Sequence, residues 1–96
     1  MTESTPTLVV YWSSVSSILE TKKQQQKIFM ILDGKKIPYV SMDISEGKGE
    51  SKVKMREICG EKSLPPQIVN NGIYCGDYAA FDQAVECEVL QEFLKI

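Results

Sequence analysis

Two consecutive prolines precede a short apolar segment in residues 64–70, which read Leu-Pro-Pro-Gln-Ile-Val-Asn. Because proline has no N–H to donate to a sheet, it is found at the first residue of a strand, at a sheet edge or at a bulge. We therefore predict that Pro66 begins a strand over Gln67–Asn70. The cis isomer is accessible to an X–Pro bond such as Pro65–Pro66, and it would turn backbone groups outward beside the strand. That shape suits an extended peptide or a small thiol, whereas the alternative is a loop that merely contains two prolines.

The composition limits the classes of function. The chain has 96 residues and a formal net charge of −2, so we expect one domain over residues 1–96 and no nucleic-acid partner. No apolar run reaches the roughly 18 residues that span a bilayer, which predicts no membrane insertion. The polar start at residues 1–7 does not resemble a signal peptide, and we expect a cytoplasmic protein in a reducing compartment.

Cysteine and histidine usage narrows the chemistry. The three cysteines, Cys59, Cys75 and Cys87, are an odd number without a close pair, so a disulfide framework is not expected. Histidine is absent from the chain. Its absence removes the usual general base at neutral pH and the commonest zinc ligand, and we predict no metal site.

Hydrophobic periodicity and turn residues predict seven elements. They are strands at 7–12, 37–42, 67–70 and 73–75, and helices from near 17 to 32, from 46 to 59 and from 78 to 94. The predicted helix ends are a capping box at Ser17 and Glu20, a C-cap at Gly34, an N-cap at Ser45, a stop at Gly60 and an N-cap at Asp77. Asn71-Gly72 predicts a two-residue type I′ hairpin turn.

The order of these elements, β-α-β-α-β-β-α, constrains the topology. The first two strands flank a helix, which predicts a right-handed unit with parallel strands. The last two strands form an antiparallel hairpin. We therefore predict an α/β fold with a four-stranded mixed sheet and three helices, in the element order of thioredoxins and glutaredoxins. That order favours the cis-proline interpretation of residues 64–70.

Five segments resemble one protein family in register along the chain. They are Ile-Leu-Asp-Gly-Lys at 31–35, Asp-Ile-Ser at 43–45, Pro-Pro-Gln-Ile-Val-Asn at 65–70, Tyr-Cys-Gly-Asp-Tyr at 74–78 and Leu-Gln-Glu-Phe-Leu-Lys at 90–95. The chain is thereby identified as similar to the SH3-binding glutamic-acid-rich-like protein family, and especially to its shortest members. Two features depart from that family: the glutamate-rich tail of longer relatives is absent, and the loop over residues 12–17 is not a familiar variant.

The resemblance implies a glutaredoxin-like fold that has lost its active-site cysteines. It also implies a cytosolic protein, with the nucleus as a second compartment, that modulates glutaredoxin activity or binds protein partners. A redox-active glutaredoxin needs a thiolate at the helix N-terminus after the first strand. Residues 13–19 contain no cysteine there, and serine without a histidine base is no substitute. We therefore expect no thiol–disulfide exchange at this place and no enzyme; the serines are predicted to form a loop and a helix cap.

Similarity to glutaredoxins also bears on glutathione. In those proteins the residues beside the cis-proline pair with the tripeptide like an added strand, and residues 66–68 could still do so. A glycine-rich segment before the last helix holds a glutathione carboxylate, but here it reads Gly76-Asp77-Tyr78-Ala79. Because Asp77 would repel a carboxylate, weak glutathione binding or none is expected. Lys22 and Lys23 could supply charge, although a solvated helix face is the simpler interpretation.

These observations predict a binding groove without a catalytic residue or a cofactor, in a monomer whose partners are proteins. The groove is predicted to consist of Trp12, Ser13, Ser14, Ser16, Ser17, Leu64, Pro65, Pro66, Gly76, Asp77 and Tyr78. An exposed Trp12 or Tyr78 would anchor a partner.

Two alternatives remain open. Cys75, at a strand end close to the proline pair, is the thiol that a residual glutathione-linked oxidoreductase or a thiol sensor would use. The other alternative is a proline-motif ligand for SH3-type domains. The prolines, Pro6, Pro38, Pro65 and Pro66, form no Pro-x-x-Pro, and Pro66 is needed inside the fold, so this alternative is weaker.

Overall fold

A computed structural model of the chain describes residues 7–96. Pro6 and the polar start, apart from Thr7, lie outside the described residues. The elements are β1 (Leu8–Trp12), α1 (Leu19–Gly34), β2 (Val40–Asp43), α2 (Glu50–Cys59), β3 (Gln67–Asn70), β4 (Ile73–Asp77), α3 (Tyr78–Glu86) and α4 (Leu90–Leu94). The predicted fold class is confirmed.

The four strands form one mixed sheet in the order β2-β1-β3-β4. β1 pairs in parallel with β2 and antiparallel with β3, and β3 pairs antiparallel with β4. The β3–β4 turn has positive φ at Asn71 (53°) and Gly72 (79°), as the predicted type I′ turn requires. β4 extends to Asp77, two residues beyond the prediction, with an irregular register opposite Ile68 and Val69.

Alternation along the strands sends side chains to both faces of the sheet. On one face Val10 and Ile68 join a cluster with Leu32 of α1, Phe81 of α3 and Leu94 of α4. On the other face a smaller cluster contains Tyr11, Ile44, Met55 and Val69. Among residues 7–96, three helices therefore cover one face of the sheet, and α2 is the helix that covers the other.

The predicted caps of α1 are wrong at both ends. Ile18 is the N-cap residue, without a side-chain cap, and the backbone N–H of Ile18 donates to Ser16 Oγ at 3.3 Å. At the other end Gly34 lies inside the last turn, and Lys36 adopts a positive φ of 57°. The N–H groups of Lys36 and Ile37 donate to the carbonyls of Asp33 and Leu32, which is a Schellman motif. Because Ile37 completes this motif, β2 begins at Val40 and not at residue 37.

The start of α2 also differs from the prediction. Gly47 and Gly49 have φ of 66° and 86°, which a right-handed helix excludes, so α2 begins at Glu50 rather than at residue 46. Ser45 is not the N-cap; its hydroxyl donates to Asp43. The predicted stop at Gly60 is confirmed.

The single helix predicted over residues 78–94 is two helices in the structure. Glu88 has a φ of 59°. Its N–H donates to Val85, and the N–H of Val89 donates to Ala84, which forms a second Schellman motif. The apolar stripe continues through this break, since Ala84 and Leu90 contribute to the same cluster, and for that reason the pattern gave no sign of it.

Candidate functional site

The loop that follows β1 is tied to α1 by a buried amide. Gln25 is 4% exposed; its Oε1 accepts from the backbone N–H of Ser13 at 2.9 Å, and its Nε2 donates to the carbonyl of Ser13 at 3.1 Å. The side chain thus satisfies both backbone groups of Ser13 as a neighbouring strand would. These two hydrogen bonds hold the loop in place directly after Trp12, where the pairing of β1 with β2 ends.

Asp43 fixes the same loop from the end of β2. Its Oδ1 accepts from the backbone N–H groups of Ser14 at 3.2 Å and Ser45 at 3.0 Å, and from the Ser45 hydroxyl. Burial raises the pKa of Asp43, but the hydrogen bonds from Ser14 and Ser45 outweigh it and hold the pKa at about 2, below the ordinary 3.8. The carboxylate is therefore ionised at neutral pH and links two loops.

The second wall of the site is the proline pair. The Pro65–Pro66 bond is cis; Pro66 is buried, Pro65 is half-buried, and Leu64 is 70% exposed. Gln67 Nε2 donates to the carbonyl of Leu64 at 2.7 Å, while the Tyr74 hydroxyl donates to Gln67 Oε1 at 2.8 Å. This chain of hydrogen bonds fixes the backbone before the prolines to β3 and β4.

Between these two loops lies a cavity of about 220 Å³, here called the Ser16–Pro65 groove. It brings together four predicted site residues and extends over α2 and the turn before it. Its lining includes Ser13, Ser16, Leu64 and Pro65 from the prediction, and Ile18, Ile44, Lys52, Met55 and Arg56 in addition. Ile44 and Met55 are buried beneath it, whereas Lys52 and Arg56 are exposed beside it.

The sequence interpretation missed the contribution of α2. The available signal was the spacing of Lys52 and Arg56, four residues apart, which places both cations on one face of a helix. That face can be assigned to the groove only once the packing of α2 on the sheet is known.

Trp12 and Ser14 lie in a different depression. With Phe29 and Gln26 they line a pocket of about 250 Å³ on α1. The Trp12 ring meets Phe29 edge-on, with centroids 5.5 Å apart, and within residues 7–96 its buried Nε1 has no hydrogen-bond partner. Trp12 is only partly exposed, and Ser17, which is exposed, lines neither cavity.

The last predicted segment packs into the fold instead of lining the groove. Gly76 is buried against Phe93 and Ala80. Asp77 caps α3, its Oδ1 accepting from the N–H of Ala80 at 3.0 Å, as predicted. Tyr78 is half-buried, and Lys27 Nζ lies 5.9 Å from the centroid of its ring. These three and the buried Pro66 therefore join Trp12, Ser14 and Ser17 as predicted groove residues that do not line the Ser16–Pro65 groove.

The thiols differ in exposure. Cys75 is half-buried, and burial raises the pKa of its thiol although nearby Lys95 lowers it in part. Burial and the neighbouring Cys75 raise the pKa of Cys59 to about 11. Cys87 is exposed. A raised pKa keeps a thiol protonated at neutral pH, which is the opposite of a reactive thiolate.

Within residues 7–96 no three histidine, cysteine, aspartate or glutamate side chains are grouped so that they could hold a metal ion. No helix of the same residues is long and apolar enough to cross a membrane.

Solved structures share this fold at low sequence identity. Actin interacting protein Aip5 of C. albicans is similar with a TM-score of 0.74 and 19% identity, over 93% of this chain and 88% of that chain. The holo form of glutaredoxin C1 from Populus tremula x tremuloides has a TM-score of 0.70 and 13% identity, over 94% and 84%. A buckwheat glutaredoxin–glutathione complex has a TM-score of 0.69 and 12% identity, over 94% and 77%. These likenesses establish the glutaredoxin-like fold.

Sequence relatives are closer. The SH3 domain-binding glutamic acid-rich protein homolog of Drosophila melanogaster is 42% identical in an alignment of 104 positions that covers 93% of this chain. The chain spans 64% of that relative's length. The model of the family described as SH3-binding, glutamic acid-rich protein matches residues 6–96. The expected resemblance is confirmed, and the chain belongs to the SH3-binding, glutamic acid-rich protein family.

Proposed function

We propose that this protein is a non-catalytic glutaredoxin-like domain that binds a segment of a partner protein in the Ser16–Pro65 groove. The observation that carries the proposal is the position of Ser16, which lies in the loop before α1 and lines the groove. A redox-active glutaredoxin needs a thiolate at this helix N-terminus, where the helix dipole lowers the thiol pKa. Among the described residues that line the groove there is no cysteine.

Two features of Ser16 support a non-catalytic role. Ser16 Oγ accepts from the backbone N–H of Ile18, so it serves as a hydrogen-bond acceptor for the helix. With no histidine in the chain, the usual general base for a serine nucleophile is missing. The groove supports recognition, and nothing in its lining supports bond breaking.

Glutathione is proposed to bind weakly or not at all. Pro65 and Pro66 both lack an N–H, so neither can donate to the backbone of a tripeptide beside β3. Asp77 already accepts from the N-terminus of α3, and a second carboxylate there would meet its negative charge. Both places at which a glutaredoxin holds glutathione are thus less favourable in this chain.

A glutathione-coupled disulfide reduction assay tests the non-catalytic part of the proposal. The expected result is no turnover above the uncatalysed rate. Turnover that Cys75→Ser abolishes would overturn the proposal and establish the residual oxidoreductase or thiol sensor. A titration with reduced glutathione, followed by NMR, is expected to leave the amides of Gln67, Ile68 and Tyr78 unshifted.

Partner capture from cell lysate tests the binding part. Leu64 and Met30 are exposed to similar extents, 70% and 66%, but only Leu64 lines the groove. Leu64→Ala is expected to lose partners that the wild type and the control Met30→Ala both retain. Equal capture by all three proteins would refute the groove as the binding surface.

The relative's name describes SH3-domain binding by that protein. In this chain Pro66 is buried and the residues after it form β3, so the folded protein does not present them as an exposed polyproline helix. We therefore rank an SH3 ligand at the proline pair below groove binding. Binding of an isolated peptide of residues 63–70 to an SH3 domain would support that second candidate.

The setting proposed for this activity is the cytoplasm, with the nucleus as a second compartment, and a monomeric state. Free thiols at Cys59, Cys75 and Cys87 suit a reducing environment. Modulation of glutaredoxin activity belongs to the same proposal, because a domain of that fold without a nucleophile can compete for its partners.

A further inference from the structure

The charge beside the groove is of one sign. Lys52 and Arg56 line it, and no acidic side chain among residues 7–96 does so. Within those residues neither cation is in a salt bridge, since the ion pair found there joins Lys27 and Asp82. This local excess of positive charge contrasts with the net charge of −2 of the whole chain, so it is a property of the groove.

Apolar side chains are exposed at the same place. Leu64 is 70% exposed and Ile18 is 60% exposed, and both line the groove above the buried side chains of Ile44 and Met55. Leu64 does not lie on a loose backbone, because its carbonyl accepts from Gln67. Two exposed aliphatic side chains beside two cations form a surface that favours an apolar group with a neighbouring negative charge.

The size of the groove limits its occupant. A volume of about 220 Å³ is below the roughly 300–1,000 Å³ of sites that enclose a small molecule. It suits a single side chain of a longer segment, with the flanking residues extending over the exposed rim. The larger cavity beside α4 is different, since Lys35, Glu88 and Glu92 all line it and its charges are therefore mixed.

We propose that the Ser16–Pro65 groove recognises a peptide segment in which an aliphatic side chain is flanked by acidic residues. The aliphatic side chain packs against Leu64 and Ile18, and the carboxylates lie near Lys52 and Arg56. This inference rests on the proposed binding function and adds the chemistry of the partner. Charge complementarity carries it, because the described residues that line the groove include two cations and no acidic side chain.

The test is an NMR titration of the whole protein with an acetylated and amidated peptide, Glu-Glu-Leu-Glu-Glu. The expected result is saturable shifts at the amides of Ser16, Lys52, Arg56 and Leu64, with weaker binding at higher salt. The peptides Gln-Gln-Leu-Gln-Gln and Glu-Glu-Ser-Glu-Glu are expected to bind less tightly, since each lacks one half of the recognised chemistry. A Gln-Gln-Leu peptide with a free C-terminus carries a terminal carboxylate but no acidic side chain. Comparing its affinity with that of Glu-Glu-Leu-Glu-Glu shows which of the two kinds of carboxylate the groove recognises.

Variants on α2 supply a matched comparison. The double variant Lys52→Gln, Arg56→Gln is expected to bind the acidic peptide with an affinity roughly fivefold lower, or lower still. Lys54→Gln removes one positive charge from an exposed position of the same helix that does not line the groove, and it is expected to leave the affinity unchanged. Leu64→Ser should weaken the binding of every leucine-containing peptide.

The outcomes separate this inference from the proposed function. Equal affinity for the glutamate and glutamine peptides, or equal loss with Lys54→Gln, would refute acidic recognition while leaving groove binding intact. Groove shifts produced by inorganic phosphate alone, or by raising the protein concentration alone, would identify a simple anion or a second copy as the occupant and overturn it. The absence of shifts at the groove with every peptide would also overturn it, whereas the proposed function fails only by the turnover and capture results given above.

Discussion

At the scale of single residues, buried amides hold the irregular segments of this protein. Gln25, Gln67 and Asn70 are each 4–6% exposed and bond to backbone carbonyls or N–H groups outside their own elements. Asn70 Nδ2, for example, donates to the carbonyls of Leu94 and Lys95 at 2.7 and 3.1 Å. Because a buried polar group costs free energy unless it is paired, these amides fix the loops on either side of the groove and the end of α4.

Asp43 predicts a pH dependence. Its pKa is about 2 when folded, below its ordinary 3.8, so its ionised form stabilises the fold fully above that ordinary value and the contribution is lost as pH falls toward 2. The difference in unfolding free energy between wild type and Asp43→Asn should be constant above about pH 5 and shrink between about pH 4 and pH 2. Denaturant unfolding at several pH values measures this difference in free energy. A titration midpoint near 3.8 for the Asp43 carboxyl in the folded protein would contradict the prediction.

Gly76 is predicted to have a packing role, although the sequence suggested a binding one. A Cβ at this position would lie 2.7 Å from a ring carbon of Phe93 and 2.9 Å from the Cβ of Ala80. Gly76→Ala is therefore expected to lower the free energy of unfolding by about 1–3 kcal/mol. The control is Gly34→Ala in α1, where nothing lies within 4 Å; it should raise stability by about 0.5–1 kcal/mol. If urea unfolding gave Gly76→Ala the same free energy of unfolding as the wild type, Phe93 and Ala80 would be able to move aside without cost, and the prediction would be wrong.

At the scale of elements, strands were predicted more accurately than helix ends. β1 and β3 follow from apolar runs, and the β3–β4 turn follows from Asn71-Gly72, because these signals act between neighbouring residues. The C-terminal ends of α1 and α3 could not be predicted from such local signals, since Lys36 and Glu88 occupy left-handed positions that usually belong to glycine. Each chain reversal is set by the next apolar residue, Ile37 or Val89, bonding back to the helix.

These two left-handed positions predict stabilising substitutions. A residue with a Cβ pays roughly 1–2 kcal/mol for the left-handed conformation, and glycine does not. Glu88→Gly and Lys36→Gly are each expected to raise the free energy of unfolding by about 1 kcal/mol. Glu86→Gly, the same change within α3, should lower it by about 1 kcal/mol. Thermal unfolding of the three variants distinguishes them, and a loss of stability in Glu88→Gly would mean that its side chain makes a contact worth more than the strain.

At the scale of the whole molecule, the two faces of the sheet are protected unequally. α1, α3 and α4 cover the larger cluster, whereas α2 covers the smaller one and buries Met55 fully. A helix held by few buried side chains opens at a lower free energy than the central strands. We therefore expect the surface that α2 contributes to the groove to be displaced more readily than the central strands.

Native-state hydrogen exchange is expected to show this asymmetry. Amides of α2 should exchange through an opening of lower free energy than those of β1 and β3, which lie in the middle of the sheet. Saturation of the groove with a bound peptide should raise the protection of α2 selectively. Equal protection of α2 and β3 in the free protein would show that the two faces unfold as one unit.

The sequence by itself determined the order of the elements along the chain, the hairpin, the place of the proline pair and the lack of a cysteine before α1. All of these depend on neighbouring residues or on the presence of a residue type. Only the tertiary structure decided that Lys52 and Arg56 join Ser16 and Leu64, that Trp12 faces α1 instead, and that Gly76 and Tyr78 pack into the fold. The reason is physical: these contacts join segments far apart in the chain, so they are fixed by how α2 and α3 pack on the sheet and not by any local pattern. The proline pair, which predicted the start of a strand, became one wall of a groove only through that packing.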